Sequence, residues 1–393
     1  MNIFLQELGL ICALGCGKDA VRRALLSPHP GAGLTLTDRY SPGHNHQVGE
    51  VSLSLPPLSH AAPQHQIRNN ALAAAALAQI RAAVQTAIDR YGPARVAIVV
   101  GTSTAGIVEG ERALSTRQLS GRWPADYSYA QQELGNLAAF LAAELGTTGI
   151  AHGISTACSS SAKAMASGAR LLAAGYADAV ITGGCDVLST FTLAGFSALQ
   201  SLSASCSLPL SRNRDGINLG EGAALFLMGK EPGPVRLAGA GESSDAYHMS
   251  APDPSGHGAV MAMGGALGRA GLKSADIDYV NLHGTGTKHN DEMESIAVAE
   301  LLGPAVFVSS SKPLCGHTLA AAGALEAGFA WLSLVDNPAG VLPPHWWDGA
   351  EDASLPALRI VVPGESLGRP LRYVLSNSFA FGGSNAALVL GAA

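Results

Sequence analysis

Residues 153–161 read GISTACSSS and run directly into a small-residue segment at 162–175. The pattern predicts a short strand, a tight turn and a buried helix, because the segment after the turn is rich in Ala, Gly, Leu and Met. Cys158 would then lie at the N-terminus of that helix. Unpaired N–H groups and the helix dipole favour an anion there, so we expect a lowered thiol pKa and a nucleophilic thiolate. A cysteine among small residues is also commonly just a buried apolar residue, and this stretch alone leaves both interpretations open.

The composition indicates a large, close-packed chain. Its 393 residues suffice for two domains or one layered body, and charged residues make up 14%, against about 25% in typical soluble proteins. The net charge of −6 argues against nucleic acid as a partner. No apolar run is predicted to span a membrane and no basic leader precedes residue 17, so a cytoplasmic location is expected. Short basic clusters at 18–23 and 212–214 are interpreted as solvated surface that could contact an acidic partner.

The six cysteines show no metal-ligand spacing, so no metal site is expected and the thiols should remain reduced.

The order of predicted elements repeats after a charged, Pro- and Gly-containing turn at 229–234, which divides the chain into halves 1–232 and 233–393. In the first half we expect strands near 2–14, 48–55, 95–101, 149–155, 177–186 and 223–228, helices at 19–26, 70–91 and 127–145, and loop over most of 28–63. In the second half we expect strands near 278–282, 306–310, 373–376 and 386–390, a helix at 318–334, and loop at 377–384. Two halves of similar order indicate a duplicated α/β unit.

Three motifs in the second half are weak separately. They are HGTGT at 283–287, Lys312 followed by Gly-His at 316–317, and NSFAFGGSN at 377–385. Histidines at strand ends and glycine-rich loops are commonly structural, and HGTGT lacks the lysine and hydroxyl of a phosphate-binding loop. Together with Cys158, the histidines support a nucleophile hypothesis.

In this order and at these separations, TACSSS, HGTGT, Lys312 with its Gly-His, and NSFAFGGSN resemble the β-ketoacyl-acyl carrier protein synthases of the thiolase superfamily. The resemblance spans nearly the whole chain. It implies a thiolase-like, five-layered αβαβα fold of two duplicated βαβαβαββ halves, with Cys158 in the first and His283, Lys312 and His317 in the second. It also implies a dimer.

Carried onto this chain, the resemblance makes Cys158 the nucleophile that accepts an acyl group from the phosphopantetheine of acyl carrier protein. His283 and His317 would hold a malonyl thioester while it loses CO2, and the carbanion would attack the acyl group. The N–H groups of Cys158 and Phe381 would stabilise the oxyanion. No metal or redox cofactor is implied. Supporting roles fall to a buried Lys312–Glu326 pair, to Thr285, Thr287 and Phe379 in substrate binding, and to Phe381 as a gate over the acyl pocket.

The chain departs from the common family pattern in two regions. Residues 208–211 read LPLS. Many members have Pro-Phe-Asp at 209–211 and some have, at 208, an arginine that contacts the carrier protein, so the resemblance does not imply carrier docking by that route. Residues 101–105, GTSTA, and Ala380 replace glycine-rich sequence that borders the acyl pocket, so an altered chain-length preference is expected. These features, with IRNN at 67–70, resemble the ketosynthases of bacterial aryl polyene clusters. Besides acyl carrier protein, the expected partner is a ketosynthase-like chain-length factor in a heterodimer, or a second copy in a homodimer.

Three other functions fit parts of the pattern. A non-catalytic chain-length subunit would keep the fold, but the presence of Cys158, His283, Lys312 and His317 argues against it. A CoA-dependent thiolase typically has a second cysteine in the C-terminal loop, and 377–385 contains none. A Cys-His hydrolase would need a water-activating carboxylate that the sequence does not indicate.

Overall fold

The computed structural model describes residues 3–27, 29 and 33–393. Residue 1, residue 2 of the predicted first strand, and residues 28 and 30–32 of the predicted loop lie outside the described residues. The helices are α1 (Lys18–Leu25), α2 (Arg68–Tyr91), α3 (Ile107–Ser120), α4 (Asn136–Leu145), α5 (Ser160–Ala173), α6 (Thr190–Ala198), α7 (His257–Ala270), α8 (Lys288–Leu302), α9 (Lys312–Cys315) and α10 (Ala322–Leu334). The strands are β1 (Phe4–Cys12), β2 (Gly15–Cys16), β3 (Thr35–Thr37), β4 (His46–Val48), β5 (Val96–Gly101), β6 (Ala151–Ile154), β7 (Ala179–Asp186), β8 (Gly222–Gly229), β9 (Val235–Ser244), β10 (Tyr279–Asn281), β11 (Phe307–Ser309), β12 (Arg359–Ile360), β13 (Tyr373–Ala380) and β14 (Ser384–Ala392).

The two halves have the same strand topology. In the first half the spatial order is β1-β8-β7-β5-β6, and in the second it is β9-β14-β13-β10-β11, with β12 added at the edge. In both halves the first two pairings are antiparallel and the last two are parallel. Strands β1 and β9 join the halves through a short antiparallel contact at Phe4–Arg236 and Leu5–Val235. The predicted duplication is therefore present strand by strand.

The apolar cores separate the chain into five layers. Helices α2 and α4 pack on one face of the first-half strands. Helices α7 and α8 cover the outer face of the second-half strands. Between the halves lie α5 and α10, whose small residues contact strands of both halves. This is the αβαβα order, and it confirms the predicted fold class.

Close packing of α5 depends on glycine in the strands below it. A Cβ at Gly101 of β5 would lie 2.5 Å from the Ser161 nitrogen, and one at Gly184 of β7 would lie 2.7 Å from the Ser161 Cβ. The Ala324 N–H of α10 donates to Ser161 Oγ at 2.8 Å. The start of α5 is therefore held against both the strands and the neighbouring central helix.

Several sequence-based boundaries are wrong for identifiable reasons. The strand predicted at 48–55 ends at Val48, because Gly49 bridges to Gly220 and the Val51 N–H donates to the buried Glu221 carboxylate at 3.1 Å. The helix predicted at 127–145 starts only at Asn136, after a separate turn. The loop predicted at 377–384 is largely strand, because residues up to Ala380 pair with β14. Helices α3, α6, α7 and α8, the short helix α9 and the long strand β9 were not predicted.

Arg214 also differs from its prediction as solvated surface. It is buried, donates to Asp352 at 2.5 Å and pairs with Glu292 at 3.3 Å. Paired in this way, its charge is used inside the fold and is not available to a partner protein.

Helix α2 is long and apolar enough to cross a membrane by length and composition alone, in contrast to the expectation that no run in the sequence could span one. Its leucines and alanines pack against β1, β7 and β8. In this structure α2 is a core helix of the first half.

The packing of α7 on β9 gives a stability prediction. A Cβ at Gly241 would lie 1.8 Å from the Ala262 carbonyl oxygen, whereas one at Gly264, on α7 itself, meets nothing within 4 Å. Gly241→Ala should lower the free energy of unfolding by about 1–3 kcal/mol or more through overpacking. Gly264→Ala should raise it by about 0.5–1 kcal/mol. Chemical denaturation of both variants tests this; equal effects would contradict the packing described.

Candidate active site

Cys158 lies in a tight turn between β6 and α5. Ala157 has a φ of +51°, a left-handed conformation that is strained for a residue with a Cβ. Ser160 offsets that strain, because its Oγ accepts from the Thr156 N–H at 2.8 Å and donates to the Ala157 carbonyl at 2.5 Å. Cys158 is 7% exposed and stands two residues before the first residue of α5. The serines that follow the cysteine therefore build the turn that presents it.

The thiol itself is not activated in the resting site. Burial raises the pKa of Cys158 to about 12; the nearby Lys312 lowers it, and Asp186 and Glu326 raise it further. The predicted lowering by the helix N-terminus is therefore wrong, because desolvation of the thiolate outweighs it. Cys158 is a neutral thiol until a base takes its proton.

Two histidines from the second half lie beside the thiol. His317 Nε2 is 2.9 Å from Cys158 Sγ, and the His283 ring meets the His317 ring edge-on with centroids 5.2 Å apart. Burial and the positive charge of Lys312 hold the pKa of both imidazoles well below the ordinary value. Both rings are therefore neutral at physiological pH, and His317 can accept the thiol proton.

Lys312 stands behind His283. Its ammonium donates to Glu326 Oε1 at 2.5 Å and to the His283 carbonyl, and its Nζ is 3.4 Å from His283 Nδ1. A cation on that side favours the tautomer with a bare Nδ1 and a proton on Nε2. Burial raises the pKa of Glu326 to about 7, and Lys312 opposes that shift. The pair sets His283 as a hydrogen-bond donor toward the cavity.

The same three side chains also meet the distance condition for a metal site, since donor atoms of Cys158, His283 and His317 lie within 4.8 Å of one another. Coordination through His283 Nε2 would move its proton to Nδ1, facing the Lys312 ammonium. Metal binding would also have to displace a thiol proton held at a pKa of about 12. The donor set fits proton transfer better than a resident metal.

Glu294 on α8 supports the site and was not identified from the sequence. Its carboxylate accepts from the N–H groups of His283 at 2.8 Å and Gly284 at 2.7 Å, and from the Asn377 amide at 3.1 Å. It thereby connects HGTGT to NSFAFGGSN. A signal existed: Glu294 lies on the helix that directly follows HGTGT, eleven residues after His283.

The remaining predicted site residues surround one cavity that opens beside Cys158. Thr285 Oγ1 and Thr287 Oγ1 are 2.9 Å apart on one wall. The Phe379 ring is 6.3 Å from that of His283, and Phe381 is exposed at the cavity and stacks on Phe196 with centroids 5.7 Å apart. The structure therefore brings all predicted site residues except Lys312 and Glu326 to the cavity wall, with that pair behind His283. The lining residues are Cys158, Phe196, Ser201, Ile217, Ser250, Pro252, His283, Thr285, Thr287, His289, Asn290, His317, Phe379, Ala380, Phe381 and Asn385.

Comparison with known proteins gives the family. The model described as β-ketoacyl synthase, N-terminal domain, matches residues 58–232, and the model for the C-terminal domain matches residues 235–346. A 3-oxoacyl-[acyl-carrier-protein] synthase 2 of Rhizobium meliloti is 39% identical over 61% of this chain and 60% of its own length. The corresponding protein of Vibrio cholerae is 32% identical over 77% of each chain. The chain thus spans about three fifths of the first relative and three quarters of the second.

A solved structure matches over the whole chain. The ketosynthase ApeO of Xenorhabdus doucetiae, determined in complex with its chain length factor ApeC, is 43% identical. The match covers 100% of this chain and 98% of that one, with a TM-score of 0.94. These comparisons confirm the family and fold expected from the four motifs.

The neutral resting thiol gives a pH prediction. Because the pKa of Cys158 is about 12, its alkylation by iodoacetamide should rise about tenfold per pH unit between roughly pH 7 and 9, without a plateau. Peptide-level mass spectrometry separates Cys158 from the exposed Cys16 and Cys206, and a Cys158→Ala variant gives the background. A plateau below about pH 8 would show a stable thiolate–imidazolium pair and contradict the neutral site.

Proposed function

This chain belongs to the β-ketoacyl synthase family, and from that premise we propose that it condenses an acyl-enzyme thioester with malonyl-acyl carrier protein to β-ketoacyl-acyl carrier protein, with loss of CO2. The observation that carries the proposal is the Cys158 thiol 2.9 Å from the neutral His317 imidazole, with His283 at its side. One nucleophile and two neutral nitrogen groups meet in one buried cavity. This is the set of groups that a two-step acyl transfer requires.

In the first step His317 takes the Cys158 proton as sulfur attacks the carbonyl of the carrier-bound acyl group. The carbon–sulfur bond to phosphopantetheine breaks, and the carrier sulfur takes that proton from His317 and leaves as a thiol. A stable thiolate is not needed, because proton transfer accompanies attack. The N–H groups of Cys158 and Phe381 would receive the negative oxygen of the tetrahedral intermediate.

In the second step the malonyl thioester oxygen lies against His283 and His317. Loss of CO2 leaves an enolate, and an Nε2–H donor placed where that charge develops lowers the barrier to decarboxylation. The enolate carbon attacks the acyl-Cys158 carbonyl and the carbon–sulfur bond to Cys158 breaks. The departing thiolate takes a proton from solvent, which is the one proton that decarboxylative condensation consumes. Lys312 keeps the His283 proton on Nε2 without contacting the substrate.

Substrate delivery requires no cofactor held by this chain. Thr285 and Thr287 lie on the cavity wall where a pantetheine arm could hydrogen-bond to them. The acyl chains would arrive on the phosphopantetheine of acyl carrier protein, in the cytoplasm, and neither a metal nor a redox group takes part. The reaction class is that of fatty-acid and polyketide elongation.

Within that class, we assign the chain to aryl polyene synthesis with a chain-length factor as partner. The whole-length likeness to a ketosynthase solved with its chain length factor supports a heterodimer. In the described residues β6 is an edge strand paired only with β5. Beside it, Ile150 is 40% and Leu134 is 43% exposed. An unpaired edge flanked by apolar side chains suits a second subunit that buries it.

Mutation of the nucleophile and base tests the mechanism. Cys158→Ala should give no acyl adduct by intact mass after incubation with acyl-carrier protein, and His317→Ala should slow CO2 release from malonyl-carrier protein by about 10²–10⁴-fold. Cys206→Ala, at an exposed cysteine, is the matched control and should behave as wild type. An adduct on Cys158→Ala, or unchanged CO2 release by His317→Ala, would remove that residue from the mechanism.

A charged residue placed beside the β6 edge tests whether this edge is the interface with the chain-length factor. Ile150→Lys should prevent co-purification with a co-expressed chain-length factor, because a lysine would be buried without a counter-ion. Val362→Lys, at an exposed apolar residue just after β12 on the opposite edge, should not. Loss of the complex in both variants, or in neither, would contradict an interface at β6.

A further inference from the structure

Asp186 ends β7 as a fully buried carboxylate to which neither the motifs nor the proposed reaction assigns a role. It accepts six hydrogen bonds in the described residues. Four reach Oδ1, from Thr102 Oγ1 at 2.8 Å, the Ser103 N–H at 2.8 Å, the Thr104 N–H at 3.0 Å and Thr104 Oγ1 at 2.8 Å. Two reach Oδ2, from Ser103 Oγ at 2.5 Å and the Ala320 N–H at 2.8 Å.

These donors belong to two distant segments of the chain. Residues 102–104 form the turn after β5, in the first half, whereas Ala320 lies in the second half, three residues after His317. Asp186 therefore joins the strand framework around Cys158 to the segment that carries the proposed base.

The segment around His317 needs such support because its backbone is irregular. Gly316 has a φ of +72° and Leu319 a φ of +51°. Both backbone groups of His317 are bonded to the segment at 218–220. The His317 N–H donates to the Asn218 carbonyl at 2.7 Å, and the Gly220 N–H donates to the His317 carbonyl at 2.9 Å. After Leu319, whose backbone is left-handed, the Ala320 N–H donates to Asp186 and holds the segment on the C-terminal side of His317.

A carboxylate suits this position better than an amide or a carboxylic acid. All six partners act as donors, and three of them are backbone N–H groups that cannot accept. Burial raises the pKa of Asp186 above its ordinary value, although the hydrogen bonds from residues 102–104 oppose that rise. The six donors around this one carboxyl group favour an ionised acceptor shared by both segments.

We propose that Asp186 is a positioning residue that fixes the backbone of His317 relative to Cys158, through its Oδ2 hydrogen bond with the Ala320 N–H. The proposal rests on the proposed function for its effect on rate, but not for its structural content. Asp186 contacts no substrate and lies outside the cavity lining. It acts through the placement of His317.

Asp186→Asn isolates the bond in question. Four donors meet at Oδ1, whereas at Oδ2 the Ser103 hydroxyl can turn and accept, so the new NH2 group should occupy the Oδ2 side. There the NH2 group would face the Ala320 N–H, which would lose its acceptor. The donors of the 102–104 turn would keep Oδ1 as their acceptor. We expect kcat for CO2 release from malonyl-carrier protein to fall about tenfold or more, with KM within about twofold.

Asp278→Asn is the matched control. Asp278 is another buried carboxylate that accepts backbone N–H groups, from Arg372 at 2.6 Å and Tyr373 at 3.3 Å, and it lies outside the cavity lining. Its kcat should stay within about twofold of wild type, at an assay temperature well below the melting point of both variants. Equal losses in both variants, or wild-type kcat in Asp186→Asn, would overturn the assignment.

Amide hydrogen exchange gives a readout that is independent of activity. The peptide containing residues 316–321 should exchange faster in Asp186→Asn than in Asp278→Asn, with the 102–104 peptide unchanged. If Asp186→Asn does not fold, Asp186→Glu keeps the charge but displaces Ala320, and should show the same local exchange. No change at 316–321 contradicts the proposal. If the wild type fails to condense while exchange at 316–321 responds, the proposed function fails and the role of Asp186 stands.

Discussion

The proposed chemistry depends on the hydrogen bond between the Cys158 thiol and the His317 imidazole, which is 2.9 Å long. This bond can form only when the two halves of the fold are packed together. Cys158 belongs to the first half of the duplicated chain and His317 to the second. They meet because α5 and α10 pack between the two sets of strands as a central layer. Helices of small residues over glycine-containing strands can approach this closely, and larger side chains at Gly101 or Gly184 could not be accommodated.

Burial sets the chemistry of that contact. Removing water raises the pKa of the thiol and lowers that of both imidazoles, so the resting site holds neutral groups with Lys312 and Glu326 as its adjacent ion pair. Charge then develops only during reaction, against donors already in place. Such a site avoids the cost of a permanently buried thiolate and applies its hydrogen bonds to the transition state.

Much of this could be predicted from the sequence, for physical reasons. Small residues after Cys158, β-branched runs ending in glycine, and histidines at strand and helix ends are local patterns that single segments determine. What failed depends on distant partners. The strand at 48–55 ends where Glu221, more than a hundred residues away, takes over a backbone N–H. The pKa of Cys158 depends on desolvation by both halves, and the connections made by Asp186 and Glu294 appear only once the halves are packed.

The protonation of the two histidines can be measured by ¹⁵N NMR of histidine-labelled protein, with His283→Gln and His317→Gln variants to assign the two rings. Both imidazoles should stay neutral from about pH 6 to 8, with the His283 proton on Nε2. An imidazolium at His317 near pH 7 would mean that Cys158 rests as a thiolate, and would contradict a neutral resting site.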